Sequence, residues 1–126
     1  MPEEIGTIFT TGEADQSYGS VISSVQINTS QILTLIQQST DLLMFKIIKG
    51  QLYILGDNRA VLYPSGGSID SSEVFAVYSA SKVNELLSLG GSGTTVIEER
   101  SQVTTLTNDR YTLEVSNWCP PFCNQQ

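Results

Sequence analysis

The sequence has no histidine, only two cysteines and only six basic residues among its 126 residues. Without histidine there is no imidazole base to activate a serine or cysteine nucleophile, and two cysteines alone do not complete a zinc site. Thirteen acidic residues against six basic ones give a net charge of −7, which repels polyanions at long range. We therefore expect no catalytic residue, no metal site and no cofactor, and we predict that the protein is not an enzyme.

The sequence also lacks a hydrophobic run long enough to span a membrane. At the N-terminus, Glu3 and Glu4 stand where a signal peptide carries positive charge. These two absences predict a cytoplasmic protein with no membrane partner. A hydrophobic content of 40% is enough for a core, and 126 residues fit one domain of ordinary size.

Two short patterns resemble parts of active sites but have simpler interpretations. Residues 90–93, Gly-Gly-Ser-Gly, follow a predicted helix and do not open one, so no helix N-terminus faces a phosphate there. Glu98 and Glu99 are neighbours on a predicted strand and point to opposite faces, so they do not converge on one substrate bond.

The two cysteines, Cys119 and Cys123, flank two prolines and Phe122 near the C-terminus. Two free thiols in a tail are the simpler interpretation. A small local disulfide is the alternative.

Hydrophobic periodicity predicts the same order of elements twice along the chain: a strand, a helix and three strands. In the first half, apolar residues at Ile32, Leu35 and Ile36 form one stripe of a helix from Thr29 to Gln38. Asn28, Thr29 and Ser30 precede or open this helix as predicted N-caps, and Ser79 and Ser81 do so in the second half. The predicted strands are residues 21–27, 42–48, 51–55 and 60–63 in the first half and 73–78, 94–97, 102–106 and 111–115 in the second, where the helix covers 81–89.

The two halves correspond residue by residue, because adding 51 to a number in the first half gives its counterpart in the second. Identical pairs include Ser30 and Ser81, Leu35 and Leu86, Gln51 and Gln102, Arg59 and Arg110, and Leu62 and Leu113. A helix stripe, a hairpin and a final turn that agree in one register indicate an internal repeat. Local ion pairing beside Asp57 and Asp109 is the expected role of the two matched arginines.

We therefore predict an α+β fold made of two βαβββ repeats, with both helices packed on one face of the sheets. The repeats cover about residues 21–64 and 73–115 of a domain at 21–118. An N-terminal arm with room for one strand precedes the domain at residues 1–20, and a C-terminal tail follows it at 119–126.

This pattern resembles one domain of the sliding DNA clamps, the ring-shaped processivity factors of replicative polymerases, and most of all those of tailed bacteriophages. The second half carries the resemblance in Val-Phe-Ala-Val-Tyr at 74–78, in the stripe Val83, Leu86, Leu87 and Leu89, and in the turn at 108–110 before Tyr-Thr-Leu-Glu-Val. The resemblance implies a non-catalytic protein that encloses duplex DNA and docks DNA polymerase or clamp-loader-like partners. Because a clamp ring holds six domains, it also implies a homo-oligomer of six copies.

The clamp-like arrangement assigns candidate residues to three surfaces. The DNA-facing surface comprises Lys82 of the second helix and Gln31, Thr34 and Gln38 of the first. A solvated helix face is the simpler interpretation of the same residues, since Lys82 is the only basic residue in either predicted helix and Glu85 follows it by three positions.

The last strand of each repeat is predicted to lie at an opposite border of the domain, where an unpaired edge is available to another chain. This predicts a subunit interface formed by Val61, Tyr63, Thr112 and Leu113. In the tail, Trp118 and Phe122 are either an aromatic anchor for a partner or residues that hold the tail against the domain.

Two other classes of function remain open on the sequence alone. The first is a protein-interaction or structural module, such as a virion component or an assembly adaptor, with the same duplicated fold and no DNA role. The second is a β-rich domain that binds a small ligand or carbohydrate through exposed aromatics such as Tyr18, Tyr53 or Trp118.

Overall fold

A computed structural model describes residues 5–10, 21–38, 41–64, 66–70, 72–100 and 103–114, and the backbone of 117–119. In this part of the chain there are ten strands and two α-helices, which confirms the α+β class. The helices are α1 (Thr29–Gln38) and α2 (Ala80–Gly90), and a short 3-10 turn covers Asp57–Arg59. The strands are β1 (Thr7–Thr10), β2 (Ser23–Asn28), β3 (Leu42–Ile48), β4 (Gln51–Leu55), β5 (Val61–Tyr63), β6 (Phe75–Ser79), β7 (Thr94–Glu99), β8 (Thr104–Asn108), β9 (Tyr111–Glu114) and β10 (Asn117–Cys119).

The strands form two five-stranded antiparallel sheets, with the orders β1-β9-β8-β7-β2 and β10-β6-β3-β4-β5. Each sheet takes three consecutive strands from one half of the chain and the first strand of the other half. Thus β2 pairs with β7, and β6 pairs with β3. Because each sheet needs a strand from both halves, neither half forms its four-stranded set alone.

A strand, a helix and three strands follow one another in both halves, and the two helices begin 51 residues apart. The first hairpin of each half is where they differ. Lys49 and Gly50 both have positive φ, 52° and 80°, which is the requirement of a tight two-residue turn between β3 and β4. In the second half β7 ends at Glu99 and β8 begins at Thr104, and residue 102, where the strand was predicted to begin, lies outside the described residues.

The main core lies between the helices and the inner faces of both sheets. Ile32 and Leu35 of α1 and Val83 and Leu86 of α2 are buried in one apolar cluster with residues from both sheets. The helices contact each other as well as the strands. Since full burial of one such side chain stabilises the fold by about 1.5–3 kcal/mol, these two stripes hold the helices against the sheets.

The strand β3 is apolar on both faces, which explains its continuous run Leu-Leu-Met-Phe-Lys-Ile-Ile. Phe45 points into the main core, whereas Met44 belongs to a second buried cluster on the other side of the sheet. Ile69 of the connection between the halves packs on this second cluster. In the same connection, the backbone N–H and hydroxyl of Ser72 donate to Asp70 Oδ1 and hold the pKa of that carboxyl below its usual value.

The N-terminal arm contributes the edge strand β1, which pairs with β9 from Thr7 opposite Glu114 to Thr10 opposite Tyr111. The expectation that the 111–115 strand lies at a border of the domain is therefore wrong. At the other sheet, β10 pairs with β6, although the sequence analysis placed no strand there. A three-residue strand beside two prolines has no periodicity long enough to predict it.

The hydroxyl groups of two predicted helix caps, Ser79 and Thr29, form hydrogen bonds outside the helices that they were predicted to cap. Ser79 precedes α2, but its side chain makes no cap hydrogen bond to the helix. Its Oγ accepts from the backbone N–H of Ile5 at 2.6 Å. The hydroxyl of Thr29 donates to the carbonyl of Ser92 at 2.8 Å, which links the start of α1 to the second half.

Candidate functional site

The outer face of α1 is neutral and exposed. Gln31, Thr34 and Gln38, three of the residues predicted to face DNA, are all exposed, and no residue of α1 is charged. The hydroxyl of Thr34 donates to the carbonyl of Ser30 within the helix. This surface can exchange hydrogen bonds with water or a ligand, but it has no charge with which to attract a phosphate.

The one cation of the two helices is already paired. Lys82 Nζ lies 3.3 Å from Glu85 Oε1, one turn along α2, with side chains 25% and 50% exposed. An exposed pair of this kind is worth only about 0–1 kcal/mol, so the ammonium remains able to change partner. The pair still leaves the combined helix face with no net charge.

A buried polar cluster joins the start of α1 to the end of α2. The side-chain N–H₂ of Asn108 lies within hydrogen-bonding distance of Thr29 Oγ1 at 3.2 Å, Thr95 Oγ1 at 2.9 Å and the carbonyl of Ser92 at 3.1 Å. Asn108 Oδ1 accepts from the backbone N–H of Ser92 at 2.8 Å. A Cβ atom at Gly90 would come closer than 3.0 Å to Asn108, so the helix end requires glycine there.

Asp57 makes a corresponding side-chain to backbone hydrogen bond in the first half. Its Oδ1 accepts from the backbone N–H of Leu42, the first residue of β3, at 3.0 Å. Asp57 and Asn108 are 51 positions apart. Asp57 follows the middle strand of the first half, and Asn108 ends the middle strand of the second half. Each accepts a hydrogen bond from the backbone of the segment that follows the helix of its own half. The sequence pattern predicted both turns but not these hydrogen bonds. The feature that could have predicted them is a short side chain with an acceptor oxygen at matched positions of the two halves.

A second polar network is buried on the outer face of the sheet that contains β7, β8 and β9. Glu98 Oε1 accepts from Thr107 Oγ1 at 2.5 Å, Thr105 Oγ1 at 3.1 Å and Arg100 Nη2 at 3.3 Å. The Thr107 hydroxyl has only one proton and gives it to Glu98, so Thr112 is the donor in the 2.8 Å contact between their hydroxyls. Three donors on one carboxylate oxygen give Glu98 a structural role in this sheet.

Glu99, the neighbour of Glu98, points the other way, as the strand alternation predicts. It is half-buried and accepts from the hydroxyl of Ser23 at 3.0 Å. The two carboxylates therefore do not share a site.

The two matched arginines have different surroundings. Arg59 Nη2 donates to the carbonyl of Glu73 at 3.0 Å, and its guanidinium carbon lies 5.5 Å from the centre of the Phe75 ring. Arg110 is exposed, with Nε 3.9 Å from Asp109 Oδ2, as local pairing predicts. Neither belongs to a candidate site.

The predicted subunit-interface residues divide into two groups. Val61 and Tyr63 lie in β5, which is the edge of its sheet in the described part of the chain, and both are half-buried. Thr112 and Leu113 are fully buried in β9, between β8 and β1. Their prediction as edge residues is wrong, because the N-terminal arm occupies that edge.

The aromatic candidates are only partly placed. The backbone of Trp118 lies in β10 opposite Ala76, and Cys119 ends that strand. Phe122, Cys123 and Tyr18 lie outside the described residues. Tyr53 is half-buried against the second apolar cluster, so it is not part of an exposed aromatic groove.

An open cleft lies where α1 meets the edge strands β2 and β5. Two adjoining hollows of about 270 and 320 Å³ share Gln31 and Tyr63. These volumes are close to the lower limit for ligand pockets, so the cleft has room for a few side chains. Its other lining residues are Gln26, Ile27, Asn28, Thr34, Leu35, Leu62, Pro64 and Thr94.

A scan against protein-family models and searches of curated proteins and of solved structures found no match to this chain. In the part of the chain that the structure describes, no helix is long and apolar enough to cross a membrane. The same residues contain no group of three or more metal-ligating side chains.

Proposed function

We propose that this protein is a non-catalytic, sliding-clamp-like processivity factor that encloses duplex DNA as part of a ring. In this proposal the chain is one duplicated clamp-like domain, and several copies complete the ring. Replication proteins, such as a DNA polymerase or a clamp-loader-like protein, dock on its outside.

The observation that carries the proposal is the arrangement of the elements. The strand, helix and three strands of each half recur with helices 51 residues apart, and the two helices lie in contact over a core shared by both sheets. The matched side chains Asp57 and Asn108, which fasten equivalent places in the two halves, add support.

A closed ring is retained on DNA by its topology, so enclosure does not require the helix face to bind DNA tightly. The neutral side chains of α1 can contact phosphates directly or through water. Only Lys82 supplies a cation, and each neutralised phosphate contributes a slope of about −0.9 in log K against log salt. Binding to an open duplex is therefore expected to be weak.

The proposal predicts that the protein is retained on closed circular DNA and slides off when the circle is linearised. Retention can be measured by gel filtration of DNA loaded with the protein at increasing salt. Lys82→Glu should weaken any salt-dependent contact by several-fold, because it reverses the one positive charge on the helices. Lys49→Glu is the matched control, since Lys49 lies in the hairpin after β3.

Sequence-specific binding to short linear DNA that is insensitive to salt would contradict enclosure. So would equal retention on linear and on closed circular DNA.

The neutral helix face also favours a second candidate function. With Lys82 paired to Glu85 and no charge on α1, the domain carries no phosphate-attracting surface on its helices. A protein-interaction or structural module with the same fold, such as a virion component or an assembly adaptor, does not need one. Lack of retention on circular DNA by a protein that forms rings would favour this second function.

A further inference from the structure

The two borders of the domain are covered unequally. At one border the described chain adds β1 beside β9 and β10 beside β6. At the other border β5 and β2 are the last strands of their sheets among the described residues. An uncovered strand presents backbone N–H and C=O groups that can pair with another extended segment.

At the covered border, residues 5–10 of the chain itself form such a segment. The backbone of Ile5 makes two hydrogen bonds with Ser79, from Ile5 N–H to Oγ at 2.6 Å and from Ser79 N–H to the carbonyl of Ile5 at 3.0 Å. Gly6 has a φ of 123°, and a Cβ there would lie 2.8 Å from Leu113 and 3.0 Å from Tyr78. The segment is therefore apolar and extended, with a glycine where the chain passes closest to the sheets.

The residues that hold this segment have counterparts in the open cleft. Asn28, Ile27 and Leu62 stand 51 positions before Ser79, Tyr78 and Leu113, and all three line the cleft. The cleft is thus lined by the end of a strand, one side of a helix and the last strand of a half. The border that residues 5–10 cover is built from the same three kinds of element.

We propose that the cleft between α1, β2 and β5 binds an extended, uncharged apolar peptide segment of a partner protein, which adds as a strand to β5. Adding a strand to an exposed sheet edge is an established mode of peptide recognition, in which the backbone supplies affinity and pockets select alternate side chains. The expected sequence pattern is apolar, small, polar, apolar, as in Ile5-Gly6-Thr7-Ile8. The proposal goes beyond DNA enclosure and does not depend on it.

The lining of the cleft determines the chemistry of its occupant. Its described lining residues carry amides, hydroxyls and apolar side chains, and none of them is charged. The residues 51 positions after Gln31 and Thr34 are Lys82 and Glu85, so the covered border is the one with charges. A neutral cleft neither attracts phosphate nor compensates a buried charge, which favours an uncharged peptide over nucleic acid.

A second copy of the chain is a less suitable occupant. Its residues 5–10 are already held by β9 and by Ser79 of its own domain. To enter another copy's cleft the segment would have to leave that site and lose those contacts. A partner with an unengaged extended segment has no such cost.

The test uses a synthetic peptide with blocked ends and the uncharged sequence of residues 5–11, Ile-Gly-Thr-Ile-Phe-Thr-Thr, added to isotopically labelled full-length protein. We expect NMR shift changes at Leu62, Tyr63 and Gln31, with a dissociation constant on the order of 100 μM. The same peptide with Gly6→Val should bind at least tenfold more weakly. In the protein, Gln31→Trp should fill the cleft and weaken binding at least tenfold, whereas Gln37→Trp on the same exposed helix should not.

Several results would overturn the proposal. These are no shift changes at 1 mM peptide, shift changes confined to β6 and β9 through exchange with the chain's own segment, and equal effects of the two tryptophan substitutions. Shift changes of the cleft residues on self-association, with no further change when peptide is added to the monomeric protein, would assign the cleft to a second copy instead. None of these results changes the retention on circular DNA that tests the proposed function.

Discussion

At the residue scale, a few buried or half-buried polar side chains have specific structural roles. Asn108 and Asp57 tie loops to strand starts, and Glu98 gathers three donors on one oxygen. Buried polar groups are stable only when they are hydrogen-bonded, so each of these side chains depends on its partners being in place. Substitution of such a residue is therefore expected to lower the free energy of unfolding.

The Glu98 network gives a prediction at this scale. Glu98→Ala removes the carboxylate that Arg100 contacts while the guanidinium stays buried, and loss of one partner from a buried pair typically costs about 3–5 kcal/mol. Glu99→Ala is the matched control, because Glu99 is half-buried and accepts from the hydroxyl of Ser23, so it should cost about 1 kcal/mol or less. Urea unfolding of the three proteins measures the difference. Similar losses for both substitutions would mean that the Glu98 network does not stabilise the fold.

At the element scale, the N-terminal strand is an integral part of one sheet. The strand β1 covers β9, Ile8 packs against the main core, and Gly6 passes against Leu113 and Tyr78. What composition described as an arm is thus the edge strand of a five-stranded sheet.

This arrangement predicts that Gly6→Ala loosens β1. The new methyl group meets two buried side chains at a backbone φ of 123°, which L-residues rarely adopt, so we expect a loss of about 1–3 kcal/mol. Gly93→Ala is the control, because no heavy atom lies within 4 Å of a Cβ there. Hydrogen exchange should accelerate at the amides of β9 in the first variant only. Unchanged protection of β9 would show that β1 is held by other contacts.

At the scale of the whole molecule, the unequal borders change how a ring is expected to form. Since β1 covers β9, the edge strands of that sheet among the described residues are β1 and β2. In a ring, β5 of a neighbour would have to pair with β1, in competition with the partner peptide proposed for the edge of β5. This contact is heterologous, so it either closes into a ring or continues as a filament. Thr112 is buried in the sheet interior, so Thr112→Pro is expected to disrupt the domain and not assembly alone.

We expect a weak, concentration-dependent hexamer, with a mass six times the 13.7 kDa of one chain. The contact is weak because β5 has only three residues, which limits the interface area. Light scattering over a wide concentration range measures the mass. A protein that remains monomeric at high concentration would exclude self-assembled rings and favour the adaptor function.

The sequence by itself determined the elements of the two halves and their order, but not the strand β10. The apolar stripe of α1 and the turn at Lys49 and Gly50 are local signals, and local periodicity and turn chemistry do not depend on the rest of the chain. For this reason the bounds of α1, β3 and β4 agree with the prediction residue for residue. The neutrality of the helix face also followed from composition alone.

Only the tertiary structure decided which strands became neighbours and which edges stayed open. Pairing β2 with β7 joins residues more than 60 positions apart, and covering β9 with residues 7–10 spans a longer separation still. Such pairings depend on the total apolar surface buried and on backbone groups that must find partners, and no short window of sequence records them. The buried positions of Glu98 and Arg100 and the open cleft beside α1 follow from that assembly, which is why sequence reasoning did not find them.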